Sequence, residues 1–409
     1  MKMFKNDKAG VSPVIATLVL VLVAVAAGVA FFAWQSSWQE ESQEGISDPN
    51  IKTTIKVGGS TTVYPLMSTA AEAYMLENPS VKISYVGGGS GPGVASVMEG
   101  LVDLGMSSSS PTSKLAGNGY VLDEEIDFHY TTVGYDCVAI VVGEGNPHGL
   151  LSTDEATMRA IYGIDTPAIT NWNNVPAHTE AITADGAVGS SDVTVTLENY
   201  GNIDLTQLVD GQPITDGTNP TTIDVDATGH DPANGVIGIT ALGTTLTWAD
   251  GANIDITCAG TEAIVTYERS LSSGTEETFG KHIVGTGDEL EVAADEGVES
   301  NQEMIKVLKS DDGDHAIGFA AFGIADGVVP IVNYVESGTV SYAPSSSNAE
   351  SGDYPYRALY VVWNFPAGQK PIVEDFIEFI KSPGNNPAFA EENGYFSIYD
   401  FDTATMDQM

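Results

Sequence analysis

Strand and helix segments alternate along this chain, and this alternation constrains its fold more than any other feature. A strand over Ile51–Val57 and a helix over Pro65–Glu77 come first. A strand over Val81–Val86, a short helix over Gly93–Gly100 and a strand over Asp103–Met106 follow. The pattern predicts a parallel sheet covered by helices, and ligands of such sheets bind at the carboxyl ends of the strands.

The second half of the chain contains a segment of different character. A second strand–helix region runs from Asp136 to about Val175, with a helix over Thr153–Tyr162, and the pattern returns after Thr275. Residues 177–261 instead alternate polar and apolar positions, as in Asp192–Leu197, and are punctuated by Asp-Gly turns. We interpret this stretch as an inserted all-β module, similar to a β-sandwich.

The segment from Arg269 to Thr275 has the composition of an anion-binding turn. Arg269 lies four residues ahead of a turn that starts at Ser273, continues with Gly274 and Thr275, and leads into a helix. Backbone N–H groups and hydroxyls of such a turn point to one place, and the helix start adds partial positive charge. The planar guanidinium of Arg269 matches a tetrahedral oxyanion. An ordinary N-capped helix has the same composition, so this segment alone leaves both interpretations open.

Three further turns of this kind lie upstream, in Gly58–Val63, Gly87–Gly93 and Gly105–Ser110. Each follows a strand, and the first two lead into a predicted helix. Taken singly, they are explained as a helix cap, a flexible glycine turn and a hydroxyl-rich loop. Because four such turns recur at equivalent places, together they predict a shared anion site.

The charge of the chain excludes some classes of partner. It carries 56 acidic and 15 basic residues, for a formal net charge of −41. Such a surface argues against nucleic acid or anionic lipid as the main partner and suits salty surroundings. It does not exclude a small anion, because distant carboxylates are screened over about 8 Å at physiological ionic strength.

No pattern for catalysis or metal binding is present in the sequence. The histidines are scattered and fall into no recognisable motif: His129, His148, His178, His230, His282 and His315. The acidic residues have no catalytic spacing either. We therefore expect no enzymatic activity, no cofactor and no metal site.

The chain has two cysteines, Cys137 and Cys258. A single disulfide is one interpretation. Since Cys137 lies within an apolar run, we expect instead two unpaired, buried residues.

The N-terminal region has the pattern of a membrane anchor. An uncharged, largely apolar run from Val14 to Trp34 exceeds the about 20 residues that a spanning helix needs. Lysines precede the run and glutamates follow it, which predicts that the bulk of the chain lies outside the membrane. The run is longer than the apolar region of a cleavable signal peptide and lacks a small-residue cleavage site. A buried helix of a soluble domain is the alternative.

The segment Lys8–Thr17 resembles the N-terminus of archaeal type IV pilin-like proteins. That resemblance implies processing near Gly10, which leaves the apolar helix attached to the chain.

The remaining motifs follow one another in a characteristic order. In the first half they are Gly59–Pro65, Gly88–Gly91, Asp103–Ser108, Asp136–Ile140, Asn146–Pro147 and Ile169–Trp172; in the second half they are Arg269–Thr275, Ala316–Phe319, Tyr354–Tyr360 and Phe376–Pro383. In order and spacing they resemble the substrate-binding proteins of phosphate ABC transporters. The resemblance covers almost the whole chain outside the anchor and the β module.

The resemblance implies an α/β fold of two lobes, of the periplasmic-binding-protein-like type II class. The expected organisation is an anchor (1–36), a linker (37–50), lobe one (51–135 and 316–398), lobe two (136–176 and 262–315), the β insert (177–261) and a tail (399–409). Two crossing strands near Val133–Ile140 and Ala316–Phe319 are expected to form the hinge about which the lobes close.

The phosphate-binding residues of that family fall on matching positions of this chain. They are Thr61, Thr62, Ser90, Ser108, Arg269, Ser273, Gly274 and Thr275, with Ser60 adjacent to the first turn. The resemblance departs at Ser108, where well-known members hold an aspartate that accepts the proton of hydrogen phosphate. A serine hydroxyl donates or accepts, so anion binding is expected while selectivity against sulfate is weaker.

The resulting expectation is a membrane-anchored extracellular protein that binds inorganic phosphate and delivers it to the permease and ATPase subunits of an ABC transporter. Two alternatives stay open. The chain is a pilin-like filament protein with an anion-binding module, or it binds another oxyanion such as sulfate, molybdate or tungstate.

Overall fold

The computed structural model describes residues 51–121, 127–178, 182–200, 203–242, 247–269, 273–286, 294–336 and 340–401. The apolar run Val14–Trp34 and the N-terminal linker lie outside these ranges, so the membrane helix stays a prediction. Among the described helices, none is both long enough and apolar enough to cross a bilayer.

The described residues alternate strands and helices over most of their length. The strands are β1 (Thr53–Gly59), β2 (Val81–Gly87), β3 (Leu104–Ser107), β4 (His129–Val142), β5 (Ser152–Asp154), β6 (Ile182–Ala184), β7 (Thr194–Glu198), β8 (Pro213–Thr215), β9 (Pro220–Thr222), β10 (Val236–Gly238), β11 (Asn253–Ile256), β12 (Val265–Arg269), β13 (Glu296–Val298), β14 (Ala316–Ala321), β15 (Ile331–Val335) and β16 (Tyr356–Trp363). The α-helices are α1 (Tyr64–Glu77), α2 (Ser90–Met98), α3 (Pro111–Gly117), α4 (Glu155–Ile161), α5 (Gly274–His282), α6 (Asn301–Leu308), α7 (Phe322–Ala325), α8 (Ser346–Glu350), α9 (Pro371–Lys381) and α10 (Asn386–Glu392).

One mixed sheet runs through both lobes of the molecule, in the order β13-β12-β14-β4-β16-β3-β1-β2. We define lobe one as the part built on β1, β2, β3 and β16, and lobe two as the part built on β12, β13 and β14. The long strand β4 belongs to both, because its first half pairs with β16 and its second half with β14. The α/β two-lobed fold is therefore confirmed, and β4 crosses between the lobes; that β14 crosses with it stays a prediction.

Each lobe has its own hydrophobic core. In lobe one, α1 and α9 pack apolar side chains such as Leu66, Met67 and Phe376 against the buried residues of β1 and β16. In lobe two, α4 and α5 pack Met158 and Phe279 against Phe319 of β14 and its neighbours. Burial of this apolar surface fixes the helices on the sheet, and with them the positions of the helix N-termini.

A second sheet of six strands, in the order β10-β7-β6-β11-β8-β9, lies between residues 182 and 256. We call this part of the chain the barrel module. The two edge strands are joined as well, because Asp224 N donates to Gly238 O and Thr240 N donates to Thr222 O. The sheet thus closes on itself and has no long free edge, whereas the sequence indicated two stacked sheets. Its core continues into lobe two through Trp172 and Val175.

Helix α2 begins at Ser90, three residues earlier than the predicted start at Gly93. Two glycines make this start possible. Gly89 precedes the helix with a φ of 93°, and a Cβ on Gly93 would lie 2.7 Å from both Gly59 Cα and Met106 O. Because Gly93 has no side chain, α2 approaches the ends of β1 and β3 closely, and Ser90 lies at its first turn.

Both cysteines are free and buried, Cys137 on β4 and Cys258 just after β11. The expectation of two unpaired residues is confirmed.

Candidate anion-binding site

Four helices begin at one cavity between the lobes. Helices α1 and α2 approach it from lobe one, and α5 and α6 approach it from lobe two. The cavity has a volume of about 290 Å³ and is lined by Ser60, Thr61, Thr62, Gly87, Gly88, Gly89, Ser90, Arg269, Ser273, Gly274, Glu299 and Ser300. Each helix N-terminus carries about half a positive charge, so this convergence forms a site for a small anion.

Serine hydroxyls form the wall of the cavity on lobe one. Ser60 Oγ donates to Ser108 Oγ at 2.8 Å, and Ser108 N donates to Ser90 Oγ at 3.0 Å. The Ser60 oxygen also accepts from Thr62 N, at the start of α1. These bonds fix the orientation of the hydroxyls before any ligand arrives, and they leave the proton of Ser108 for Ser90 or for a ligand.

Arg269, the last residue of β12, is the cation of the site. It is only 1% exposed. Its Nη2 donates to Glu299 O at 3.0 Å and to Thr61 Oγ1 at 3.3 Å, and its Nη1 donates to Asn301 Oδ1. Its Nε has no partner among the described residues. A buried guanidinium that lines a cavity and has a donor without a partner favours binding of an anionic acceptor.

The electrostatic surroundings of Arg269 are also unusual. Burial, together with the neighbouring Arg357, lowers its pKa to about 10, while Glu276 opposes the shift. Arg269 thus remains charged at neutral pH, in a place where water does not solvate it fully. An anion in the cavity would relieve this cost.

The start of α5 forms the wall on lobe two. Ser273 caps the helix, with its Oγ accepting from Thr275 N at 3.2 Å. A Cβ on Gly274 would clash with Ser108, so only glycine allows this close approach of the two lobes. Thr275 Oγ1 lies 3.1 Å from Thr62 Oγ1, one residue from each lobe.

These contacts hold the lobes in a closed arrangement. In addition to the Thr62–Thr275 contact, Lys114 of α3 lies 2.6 Å from Glu277 of α5. Both side chains of this pair are less than one fifth exposed. The pair therefore bridges the two lobes beside the cavity.

A buried ion pair lies behind the Thr62–Thr275 contact. Arg357 of β16 and Asp136 of β4 are directly paired across the sheet, with Nη2 and Oδ2 2.8 Å apart. Arg357 Nη2 also donates to Thr275 Oγ1 at 3.0 Å, and its Nη1 has no partner among the described residues. Burial raises the pKa of Asp136, although Arg357 and the N–H of Phe322 favour its ionised form.

Asn301, the first residue of α6, links the elements around Arg269. Its Oδ1 accepts from Arg269 and from Ala321 N, and its Nδ2 donates to Thr62 Oγ1 at 3.3 Å. It thus holds Arg269, the end of β14 and lobe one together. It is fully buried.

The structure brings every site residue predicted from the sequence to this one place. Seven of them line the cavity: Ser60, Thr61, Thr62, Ser90, Arg269, Ser273 and Gly274. Ser108 and Thr275 contact these from behind the lining. Sequence reasoning missed Asn301, Arg357 and Asp136 as site residues. The last two occur in the quoted motifs, but nothing in the sequence indicated that they would pair.

The fold is that of a two-lobed protein of the periplasmic-binding-protein class. The chain matches the family model described as PBP superfamily domain over residues 44–207 and 218–383, and it belongs to that superfamily.

Two curated relatives share parts of the sequence. The chain is 29% identical to phosphate-binding protein PstS 2 of Streptococcus pneumoniae serotype 4 over 121 residues, 30% of this chain and 37% of that protein. It is 26% identical to phosphate-binding protein PstS of Bacillus subtilis over 216 residues, 53% of this chain and 59% of that protein. The chain therefore spans less than two thirds of each relative.

A solved structure shares the fold. It is a putative phosphate ABC transporter substrate-binding protein from Clostridium perfringens with bound phosphate. The TM-score is 0.52 at 17% identity, over 84% of this chain and 99% of that chain.

Removing Asp136 should destabilise the protein strongly. Asp136→Ala leaves the buried Arg357 without its counter-charge, which we expect to lower the free energy of unfolding by about 3–5 kcal/mol. Urea unfolding followed by circular dichroism measures the change.

The matched control is Asp165→Ala. Asp165 also pairs with an arginine at 2.8 Å, Arg159, but its side chain is half-exposed. We expect almost no change in its unfolding midpoint, because solvent screens such a pair. Equal effects of the two substitutions would contradict the assigned role of the buried pair.

Proposed function

We propose that this protein is a membrane-anchored extracellular phosphate-binding protein that captures inorganic phosphate between its lobes and delivers it to an ABC permease. One observation carries the proposal: a buried arginine with a free donor lies where four helix N-termini meet. Each of these groups stabilises negative charge, and their arrangement around one small cavity matches a compact tetrahedral oxyanion.

The energetics of the cavity support binding of useful strength. A hydrogen bond to a charged group contributes roughly 1.5–3 kcal/mol. Arg269, the serine and threonine hydroxyls and the helix N–H groups together offer enough donors to exceed the cost of association. Micromolar affinity needs a net free energy of binding of about −8 kcal/mol.

The names of the relatives support phosphate as the anion. Both curated relatives are named phosphate-binding proteins. Their sequence identities to this chain, 29% and 26% over the matched residues, exceed the 17% of the solved structure. The order of the sequence motifs supports the same assignment.

Substitution of Arg269 tests the proposed site directly. We expect Arg269→Ala to weaken phosphate binding at least about tenfold, equivalent to 1.4 kcal/mol or more, because the free Nε and the charge are both lost. Arg269→Lys keeps the charge but loses the planar guanidinium. Its phosphate affinity should therefore lie between those of the unmodified protein and Arg269→Ala. Calorimetric titration of the full chain with phosphate measures each affinity.

Arg159→Ala serves as the control, since Arg159 is a lobe-two arginine that pairs with Asp165 and does not line the cavity. Its phosphate affinity should equal that of the unmodified protein. Unchanged affinity in Arg269→Ala, with circular dichroism showing a native fold, would refute the site.

The hydrogen bonding of Ser108 leads to a further prediction, about selectivity between phosphate and sulfate. The Ser108 oxygen accepts from Ser60, so its own proton points to Ser90 or to the anion. Glu299 supplies the one carboxylate among the lining residues, and it is exposed. The wall that would meet the anion therefore consists mainly of donors, which suits a fully ionised anion as well as hydrogen phosphate.

We expect sulfate to bind within about tenfold of phosphate. Sulfate affinity should stay flat from about pH 5 to 8, whereas phosphate affinity should rise as the ligand gains its second charge. Ser108→Asp should widen the preference for phosphate by repelling sulfate. Calorimetry with both anions tests this, and strong rejection of sulfate by the unmodified protein would contradict it.

The membrane anchor is proposed from the apolar run Val14–Trp34 and its flanking charges. We expect a chain that lacks residues 1–36 to be lost from the membrane fraction of cells while still binding phosphate. The pilin-like motif Lys8–Thr17 favours a second candidate, a filament subunit. Filaments on cells that disappear with the gene would support that role instead.

A further inference from the structure

Two histidines and a glutamate meet where the barrel module joins lobe two. His148 follows β4, His315 immediately precedes β14, and Glu262 lies on the segment that returns from the barrel module to β12. One nitrogen of each histidine and a carboxylate oxygen of Glu262 all lie within 4.8 Å of one another. None of the three residues lines the anion cavity.

The ring of His148 is held in one orientation. It is only 4% exposed, and it stacks on Trp172 with 4.6 Å between ring centroids and an angle of 4°. Trp172 also reaches the second histidine, because its Nε1 donates to His315 O at 3.0 Å. A single buried tryptophan thus orients the His148 ring and contacts the backbone of His315.

Both ring nitrogens of His148 have close polar neighbours. Its Nδ1 lies 3.1 Å from Ala259 O, and its Nε2 lies 3.1 Å from Asp314 O. A neutral imidazole has only one N–H. With that proton on Nδ1, the ring donates to Ala259 O, and the Nε2 lone pair faces His315 Nδ1.

A cation at Nε2 would take the place of the His315 proton as the partner of this lone pair. Nδ1–H then donates to Ala259 O, while the Nε2 lone pair and Asp314 O both face the cation.

The separation of the histidines also fits a metal. His148 Nε2 lies 3.1 Å from His315 Nδ1. Two ligands of a tetrahedral zinc ion, each about 2.0–2.1 Å from the metal, are about 3.3 Å apart. Glu262 is exposed, so its side chain can rotate to bring the carboxylate to a metal bound between the two histidines. Gly260 makes room for this group, because a Cβ there would clash with Glu262 and lie 2.9 Å from His148 Nδ1.

We propose that His148, His315 and Glu262 form a binding site for a divalent transition metal of the zinc class. Two imidazoles and one carboxylate are a ligand set that zinc uses in proteins, with Asp314 O or water at the fourth position. The bound ion would join the exit of the barrel module to β14 and to β4, the strand that belongs to both lobes.

Zinc titration of the full chain, purified in detergent and stripped of metal in phosphate-free buffer, tests the site. We expect one equivalent of Zn²⁺ by calorimetry, and with Co²⁺ the visible absorption bands of a tetrahedral site. His315→Ala and Glu262→Gln should each weaken zinc binding by at least about tenfold. Glu262→Gln changes an exposed side chain, so it should keep the fold and its phosphate binding.

His129→Ala is the matched control. His129 is a partly exposed histidine 3.7 Å from Asp127, so it also has a carboxylate neighbour but lacks a second imidazole. Its zinc affinity should equal that of the unmodified protein. The absence of stoichiometric binding, or equal zinc affinities in the unmodified chain, His315→Ala and Glu262→Gln, would overturn the proposal.

Discussion

A buried guanidinium at the meeting point of four helix N-termini is the constraint on which the rest of the structure depends. Arg269 is almost fully buried, and each helix start adds partial positive charge around it. Glu276 and the Asp136–Arg357 pair lie nearby, but Arg269 Nε and Arg357 Nη1 have no partners among the described residues. The proposed anion would offset the positive charge of the buried Arg269. Such a local arrangement would allow a chain with a formal charge of −41 to bind an anion.

The scaffold serves to bring these groups together from two lobes. Strand β4 pairs with β16 in one lobe and with β14 in the other, so a single strand carries both halves of the site. Glycines then set the distances: Gly93 lets α2 approach β1 and β3, and Gly274 lets α5 approach Ser108. Larger residues at either position would separate the donors that must converge on one ligand.

The sequence was sufficient to predict most of this arrangement, since strand, turn and helix are local patterns. The hydroxyl turns around Ser60, Ser90, Ser108 and Ser273 follow strand ends, and strand ends meet at one edge of a sheet. The start of α2 was misplaced because glycines at positions 91 and 93 resemble a turn more than a helix. Packing against β1 and β3 outweighs that weak local preference.

Long-range pairs could not be predicted in the same way. Asp136 and Arg357 are paired only because β4 and β16 are neighbours, and His148 meets His315 across a sequence separation of 167 residues. The barrel module likewise closes through bonds between β9 and β10 that no local pattern indicates. Such contacts depend on which strands become neighbours in a sheet. Local patterns in a single sequence do not specify that order.

A crystal structure of the protein grown with phosphate tests the central claim most directly. The account predicts a tetrahedral anion in the cavity, within hydrogen-bonding distance of the Arg269 guanidinium and of the N-terminal turns of α2 and α5. Density for the anion elsewhere, or an empty cavity in crystals of a protein that calorimetry shows to be saturated with phosphate, would contradict it.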